Sequence, residues 1–334
     1  NVGRNTMNRL RDIVIICYCC IIAIEGNLTV GVLMSISYIL GQLGGPIGQI
    51  QSLLTQYQMF KVSMARLSEV QRKENEQQGA QEMQIDKFRH EILFSEVSFK
   101  YEGSFSPNIF EGLSISFPAN KMTAIVGNSG SGKTTLLKLI MGFYYPQKGK
   151  ITIDETPLNE IDINSWRNCC GVVLQDGKIF SGTITENITL GSEIIDEKKI
   201  ETVSKLACID EFIQKQPGKY NMKIGSTGIE LSQGQKQRIL IARALYKDPQ
   251  LLIFDEATSS LDTVNERRIM DNLKYYFMGR TVIVVAHRLS TVVNADNIIF
   301  LENGKIAEQG THKTLVAKKG KYYELIKNQL ELEN

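Results

Sequence analysis

The stretch Gly127-Asn128-Ser129-Gly130-Ser131-Gly132-Lys133-Thr134 (GNSGSGKT) decides the fold class. It follows the strand-like KMTAIV and runs into the helix-like TLLKLIMG, which begins at Thr135. A strand–loop–helix setting is the one in which this motif has physical meaning. Glycines let backbone N–H groups turn inward around phosphates, and the helix N-terminus adds its positive dipole end. Lys133 is placed to reach the terminal phosphates of a nucleoside triphosphate, and the Thr134 hydroxyl to ligate Mg²⁺.

Further along stands LLIFDEAT, Leu251–Thr258. Four apolar residues form a buried strand that delivers Asp255 to its exposed end, where a carboxylate can hold Mg²⁺. Glu256, next in line, is placed to polarise an attacking water. A hydrophobic run ending in Asp-Glu is by itself an ordinary strand edge; beside GNSGSGKT it completes a phosphoryl-transfer site, which needs chiefly positioning and electrostatics.

Around these motifs strands alternate with helices. Ile92–Tyr101, Met122–Val126, Cys170–Leu174, Leu251–Asp255, Thr281–Ala286 and Asn297–Leu301 read as strands. Gly132–Met141 reads as a helix, and Ile224–Tyr246 as a loop into one. The alternation argues an α/β layered sheet.

Toward the N-terminus the composition changes near residue 85. Ile13–Ile24 is an unbroken apolar run, too short alone for a bilayer that needs ~20 residues, so it either borrows length from the polar residues upstream or is the surviving end of a longer helix. Leu28 to about Leu54 is long enough, and no charged residue occurs from Gly26 to Phe60. Its Gly41, Gly44, Gly45 and Gly48, with Gln42, Gln49 and Gln51, suit a wall facing other helices or a cavity. A buried helical hairpin of a soluble protein is the competing reading. Arg4, Arg9 and Arg11 precede the first segment, and Lys61, Arg66, Arg72 and Lys73 follow the second. The connection Glu25-Gly26-Asn27 has no Lys or Arg, so both ends are expected in the cytoplasm. Residues 1–73 are thus expected to be membrane-embedded in contact with lipid, 74–84 a polar linker, and 85–334 a nucleotide-binding domain.

Composition closes off other classes. Among 334 residues, 38 Lys and Arg against 36 Asp and Glu leave a net charge of +2. No basic block stands out, which argues against a nucleic-acid partner. The six cysteines, Cys17, Cys19, Cys20, Cys169, Cys170 and Cys208, make no CxxC pair, so a zinc site is not expected. The chain opens at Asn1 without an initiator Met and reads as a fragment of something longer.

Between the two phosphate motifs lies LSQGQ at Leu231–Gln235, running into KQRILIARAL. Here the sequence resembles the ATP-binding-cassette ATPases, whose signature is usually written LSGGQ. Gln233 replaces the third residue, while Ser232, Gly234 and Gln235 remain. The resemblance implies that Tyr101 stacks on adenine and that Gln175, in VVLQDGKIF, reaches Mg²⁺ and contacts the membrane part. It likewise implies that Ser260-Leu261-Asp262 is the D-loop and His287 the switch histidine near the γ-phosphate. It covers roughly Glu91 to Lys327, and implies a P-loop ATPase domain with a helical subdomain.

Upstream, LTVGVLMSISYILGQLGGPIGQIQSLL…ARLSEV resembles the final membrane helix of exporter-type half-transporters. The α/β domain is therefore expected behind the last two helices of an exporter membrane domain in the cytoplasmic membrane. CGVVLQDGKIFSGTI and KIGSTGIELSQGQKQRILIARAL resemble the bacterial exporters that process and secrete peptides. Full-length members of that branch carry an N-terminal cysteine peptidase, which this chain does not contain. Where many exporters have Glu before the signature, this chain has Ser226.

Three functions follow: an ATPase coupled to export of a substrate, most simply a peptide, with lipid or drug as alternative cargo; a soluble ATPase of the same superfamily working on nucleic acid or ribosomes; or a non-hydrolysing partner subunit. The uncharged Gly26–Phe60 segment speaks against the second. An intact Glu256, His287 and signature speak against the third. In the family, Ser232 and Gly234 of one subunit close over the ATP on the other's Lys133, so a second copy of the chain is the expected partner.

Overall fold

The computed structural model describes residues 2–26, 28–71, 83–85, 87–103, 106–192, 194–225, 228–257, 263–286 and 289–333. The chain divides into two units, Asn1–Gln78 and Gly79–Asn334.

The first unit is a pair of helices, α1 (Val2–Ile24) and α2 (Val30–Gln71). The apolar run from Ile13 does borrow upstream residues: α1 starts at Val2 and takes in Arg4, Arg9 and Arg11. Among the described residues, one helical stretch, Val30–Ser68, is long and apolar enough to cross a membrane, with mean hydropathy 1.4 in its most apolar window and none of that window buried. Pro46 lies inside α2 and donates no N–H, so the Gln42 carbonyl loses its helical partner there. At ~1.5 Å rise per residue α2 runs ~63 Å, about twice the hydrocarbon thickness of ~30 Å, and its second half carries Lys61 and Arg66.

The second unit begins with β1 (Glu91–Phe99), β2 (Phe110–Pro118), β3 (Met122–Val126), α3 (Lys133–Ile140), β4 (Lys148–Ile153) and β5 (Thr156–Pro157). Next come α4 (Ile163–Asn168), β6 (Cys170–Val173), β7 (Gly182–Thr183), α5 (Ile184–Ile188), α6 (Glu197–Leu206), α7 (Asp210–Gln214) and β8 (Lys223–Ile224). Then follow α8 (Gln233–Tyr246), β9 (Leu251–Asp255), α9 (Thr263–Phe277), β10 (Thr281–Val285) and α10 (Leu289–Val292). Last are β11 (Asn297–Glu302), β12 (Lys305–Gly310), α11 (His312–Lys318) and α12 (Lys321–Glu333).

Six strands form the main sheet in the order β12-β11-β3-β10-β9-β6. All pair in parallel except the edge strand β12. Every residue of β9 and β10 is buried, as expected of parallel strands covered on both faces. Their side chains alternate between two cores. Leu252, Phe254, Val282 and Val284 join Ile188, Ile200 and Ile239 from α5, α6 and α8. Leu251, Ile253, Ile283 and Val285 join Leu136, Trp166 and the aromatic residues of the second sheet. That sheet is antiparallel, ordered β2-β1-β4-β5, and β7 pairs with β8. Each fully buried Leu, Ile or Phe contributes ~1.5–3 kcal/mol, so the loops at the strand ends stand on the most strongly held part of the unit.

Two features differ from the sequence reading. The antiparallel strands β2 and β4 and the edge strand β12 went unread. Met83, inside the stretch read as linker, is bonded: its N–H donates to Glu160 O over 2.8 Å and its carbonyl accepts from the Asp162 N–H over 3.0 Å. Residues 72–82 of that region lie outside the described residues.

Candidate functional site: a phosphate loop and its carboxylates

The carboxyl ends of β3, β10, β9 and β6 are neighbours in the sheet, the edge at which α/β proteins bind ligands. Gly127–Gly132 leaves β3 there and enters α3 at Lys133. Gly127 has φ +151°, and a Cβ on it would stand 2.1 Å from the Leu301 carbonyl oxygen, so no side chain fits. The Ser131 N–H donates to Asn128 O over 3.2 Å and closes the turn through Ser129 and Gly130. Ser131 itself is buried, and its Oγ finds no hydrogen-bond partner among the described residues.

Lys133 is buried, and its Nζ donates to the carbonyls of Gly127 and Asn128 over 2.8 and 2.9 Å. Burial pulls its ammonium below the usual lysine range, against the attraction of Glu256 and Asp255. The Thr134 hydroxyl donates to Asp255 Oδ2 over 3.1 Å. Asp255 ends β9 at 1% exposure, and its other oxygen has no partner among the described residues. Burial pushes this carboxyl above the usual range; the Thr134 bond and Lys133 oppose the rise, while Glu256 and Asp176 add to it.

Glu256 follows with φ +50°, a left-handed conformation that costs a non-glycine residue about 1 kcal/mol or more. Its N–H donates to Val285 O over 3.2 Å, and its Oε2 accepts from Gln175 Nε2 over 3.0 Å. The structure therefore brings Lys133, Thr134, Asp255, Glu256 and Gln175 together.

The donor set fits Mg²⁺. Thr134, Asp255 and Gln175 offer oxygen ligands, and Asp255 holds a buried oxygen with no donor among the described residues. No group of three His, Cys, Asp or Glu able to hold a metal occurs among the described residues. An ion here would draw the rest of its shell from phosphates and water, as Mg²⁺ does.

Tyr101 lies beside this loop. Its hydroxyl is 3.1 Å from Thr135 Oγ1. Its ring packs edge-to-face with Phe99 and with Tyr144, each at 5.1 Å between centroids. Sequence reasoning missed Tyr144, although it stands in an aromatic triplet, Phe143–Tyr145.

Ser232, Gln233, Gly234 and Gln235 form the N-terminus of α8. Ser232 Oγ accepts from the Gln235 N–H over 3.2 Å, and Gln235 Oε1 accepts from the Ser232 N–H over 2.9 Å. This reciprocal cap was legible as S-x-x-Q and went unread. Among the described residues no hydrogen bond joins these four to Gly127–Thr134. A cleft of about 730 Å³ separates Gln175–Ile179 from Gly228–Leu231. Its Gln175 side is pinned to α8 by Arg243, which donates to Lys178 O, Asn187 O and Asn187 Oδ1. His287, Ser260–Asp262 and Ser226 lie outside the described residues.

Residues 110–259 match the family described as ABC transporter. The chain is 40% identical over 302 residues to the alpha-hemolysin translocation ATP-binding protein HlyB of Escherichia coli, covering 90% of this chain and 42% of that protein. It is 41% identical to the toxin RTX-I translocation ATP-binding protein of Actinobacillus pleuropneumoniae, covering 93% of this chain and 44% of that one. A bacterial Atm1-family ABC exporter with ATP bound superposes with a TM-score of 0.75 at 33% identity, over 98% of this chain and 58% of the other. The chain thus spans less than half the length of these translocation proteins. With the phosphate loop, the carboxylate-bearing strand and the signature helix all on one scaffold, the chain contains an ABC transporter domain, matched over residues 110–259.

Proposed function

We propose that the chain is the ATP-hydrolysing end of a bacterial exporter, with residues 1–73 its last membrane helices and the unit from Met83 onward its cytoplasmic nucleotide-binding domain. The observation that carries this reading is the convergence of Lys133, Thr134 with Asp255, and Gln175 with Glu256 on one sheet edge, in a chain that also holds the apolar Val30–Ser68.

In this reading Tyr101 receives the base, and the N–H groups of Gly127–Thr135 with Lys133 hold the phosphates. Mg²⁺, ligated by Thr134, Asp255 and Gln175, would neutralise charge on the β- and γ-phosphates. Glu256 takes a proton from water as the water oxygen bonds to the γ-phosphorus and the bond to the bridging oxygen breaks, giving ADP and phosphate. The resemblance gives His287, outside the described residues, the role of the switch histidine. Ser232, Gln233, Gly234 and Gln235 of a second copy complete the site; within one chain Ser232 and Gln235 cap α8, and among the described residues none of the four is hydrogen-bonded to Gly127–Thr134.

A peptide cargo is the reading favoured by the resemblance to peptide exporters, and the relatives are named for translocation of alpha-hemolysin and of toxin RTX-I. Lipid or drug export is the alternative. Two results decide it: ATPase activity per molecule that rises with protein concentration, and ATP-dependent uptake of a candidate peptide into inverted vesicles carrying the full-length protein. Activity independent of concentration in a verified monomer would remove the two-copy site; lipid or drug uptake in place of peptide would change the cargo.

A further inference from the structure

The turn from β11 to β12 lies against the phosphate loop. Asn303 has φ +47° and Gly304 φ +72°, the two positive values of a tight type I′ hairpin turn. The Gly304 N–H donates to the Ser131 carbonyl over 3.2 Å. On β11, the Leu301 carbonyl closes on Gly127; on the other side, a Cβ on Gly304 would stand 1.8 Å from the Ile109 carbonyl oxygen.

The contact has a chemical reason. In a planar trans peptide N–H and C=O point opposite ways, so a loop that turns its N–H groups toward phosphates turns its carbonyls outward. Buried outward carbonyls need donors. Lys133 Nζ serves Gly127 and Asn128, and the Leu136 N–H serves Gly132. Ser131, at 4% exposure, has Gly304. An ordinary hairpin would account for Asn303-Gly304 but not for a bond to a loop that lies far away in sequence.

We infer that Gly304 is a positioning residue for the nucleotide: its N–H fixes the Ser131–Gly132 peptide so that the loop faces the phosphates. The inference rests on the nucleotide site proposed above.

The test compares Gly304→Ala with Gly279→Ala in the full chain in detergent. Gly279 has φ +74° and open space around its Cβ, so its alanine variant carries the positive-φ strain alone, away from the loop and without the overlap on Ile109. Alanine keeps the N–H, but its Cβ would overlap the Ile109 carbonyl and push the turn off Ser131, so Gly304→Ala should raise the KM for Mg-ATP and the inhibition constant of inorganic tripolyphosphate, both about ten-fold, as for loss of one bond to a buried acceptor. Its kcat should stay near parental, and Gly279→Ala should change neither constant. A folded Gly304→Ala with parental constants, or equal effects in the two variants, would overturn the inference. If Gly304→Ala does not fold, amide exchange on the parent protein decides. Tripolyphosphate should protect the Gly304 N–H together with those of Gly130 and Lys133. Protection of the loop without Gly304 refutes the positioning role, and protection at none of them refutes the nucleotide site as well.

Discussion

Gln175 and Glu256 meet side chain to side chain, the Gln175 amide donating to Glu256 Oε2 over 3.0 Å. The bond ties the loop after β6 to the carboxylate after β9. One residue on, Asp176, adds its charge to the environment of Asp255. The proposed base and the proposed metal ligand are thus both in electrical contact with a loop that Arg243 holds to α8.

Glu256→Gln removes the proton acceptor and keeps the shape. Nucleotide binding should persist while turnover falls by ~10²–10⁴, the range for loss of a general base. A long-lived ATP-bound dimer is the expected species in size-exclusion chromatography. Hydrolysis within a few-fold of the parent would show that another group takes the proton.

Asp255 should trade stability for chemistry. Its folded pKa is raised by burial, so between the unfolded and folded values the native state holds a proton that the unfolded chain has released. Stability therefore falls as pH climbs through that window and stays lower above it. At neutral pH, Asp255→Asn should raise the thermal midpoint by ~2–4 °C and abolish Mg²⁺-dependent hydrolysis. An unchanged or lower midpoint would mean that the buried carboxylate is not a net cost.

Tyr101→Ala should weaken nucleotide binding by ~1–3 kcal/mol through lost stacking on the base, and nearly alike for ATP and GTP. Fluorescent-nucleotide titration of both bases measures it. A selective loss for one base would mean that the residue reads hydrogen-bonding edges. Tripolyphosphate, which has no base, should bind the variant as it binds the parent.

The second unit has its own two cores and should fold alone. A chain beginning at Gly79 should be soluble and should bind Mg-ATP. One beginning at Gln84 loses the two Met83 bonds to Glu160 and Asp162 and should melt lower. The full chain should need detergent. Equal melting of the two shortened chains would show that Met83 contributes nothing.

The main sheet was legible where strands are buried on both faces. LLIF before Asp255 and VIVV after Thr281 are continuous apolar runs, because parallel strands covered by helices need them. Other strands were hidden for identifiable reasons. In β2, exposed Glu111 and Gly112 at φ +67° put buried Phe110 out of step with the alternation of Leu113, Ile115 and Phe117. The first half of β4 is Lys-Gly-Lys and exposed. The edge strand β12 never buries a residue fully, and its KIAEQG carries the charge that edges need. At the site, GNSGSGKT pointed to phosphate chemistry through its spacing and its strand-to-helix setting, and FDE gained its meaning beside it. The Ser131–Gly304 bond did not, because its partners belong to elements far apart in the chain and no local pattern marks a carbonyl that needs a donor.

The strand that carries the phosphate loop is sandwiched between late arrivals. Met122 pairs with Val282 and Thr123 with Asn297, so β3 has no neighbour in its own sheet until most of the unit has been synthesised. At ~5–20 residues per second, the wait is on the order of 10–35 s of translation. Until Val285 is made, the nascent chain displays GNSGSGKT with neither wall, and the β11 wall follows only from Asn297. A polypeptide halted before Thr281 should therefore carry the complete motif and bind no nucleotide.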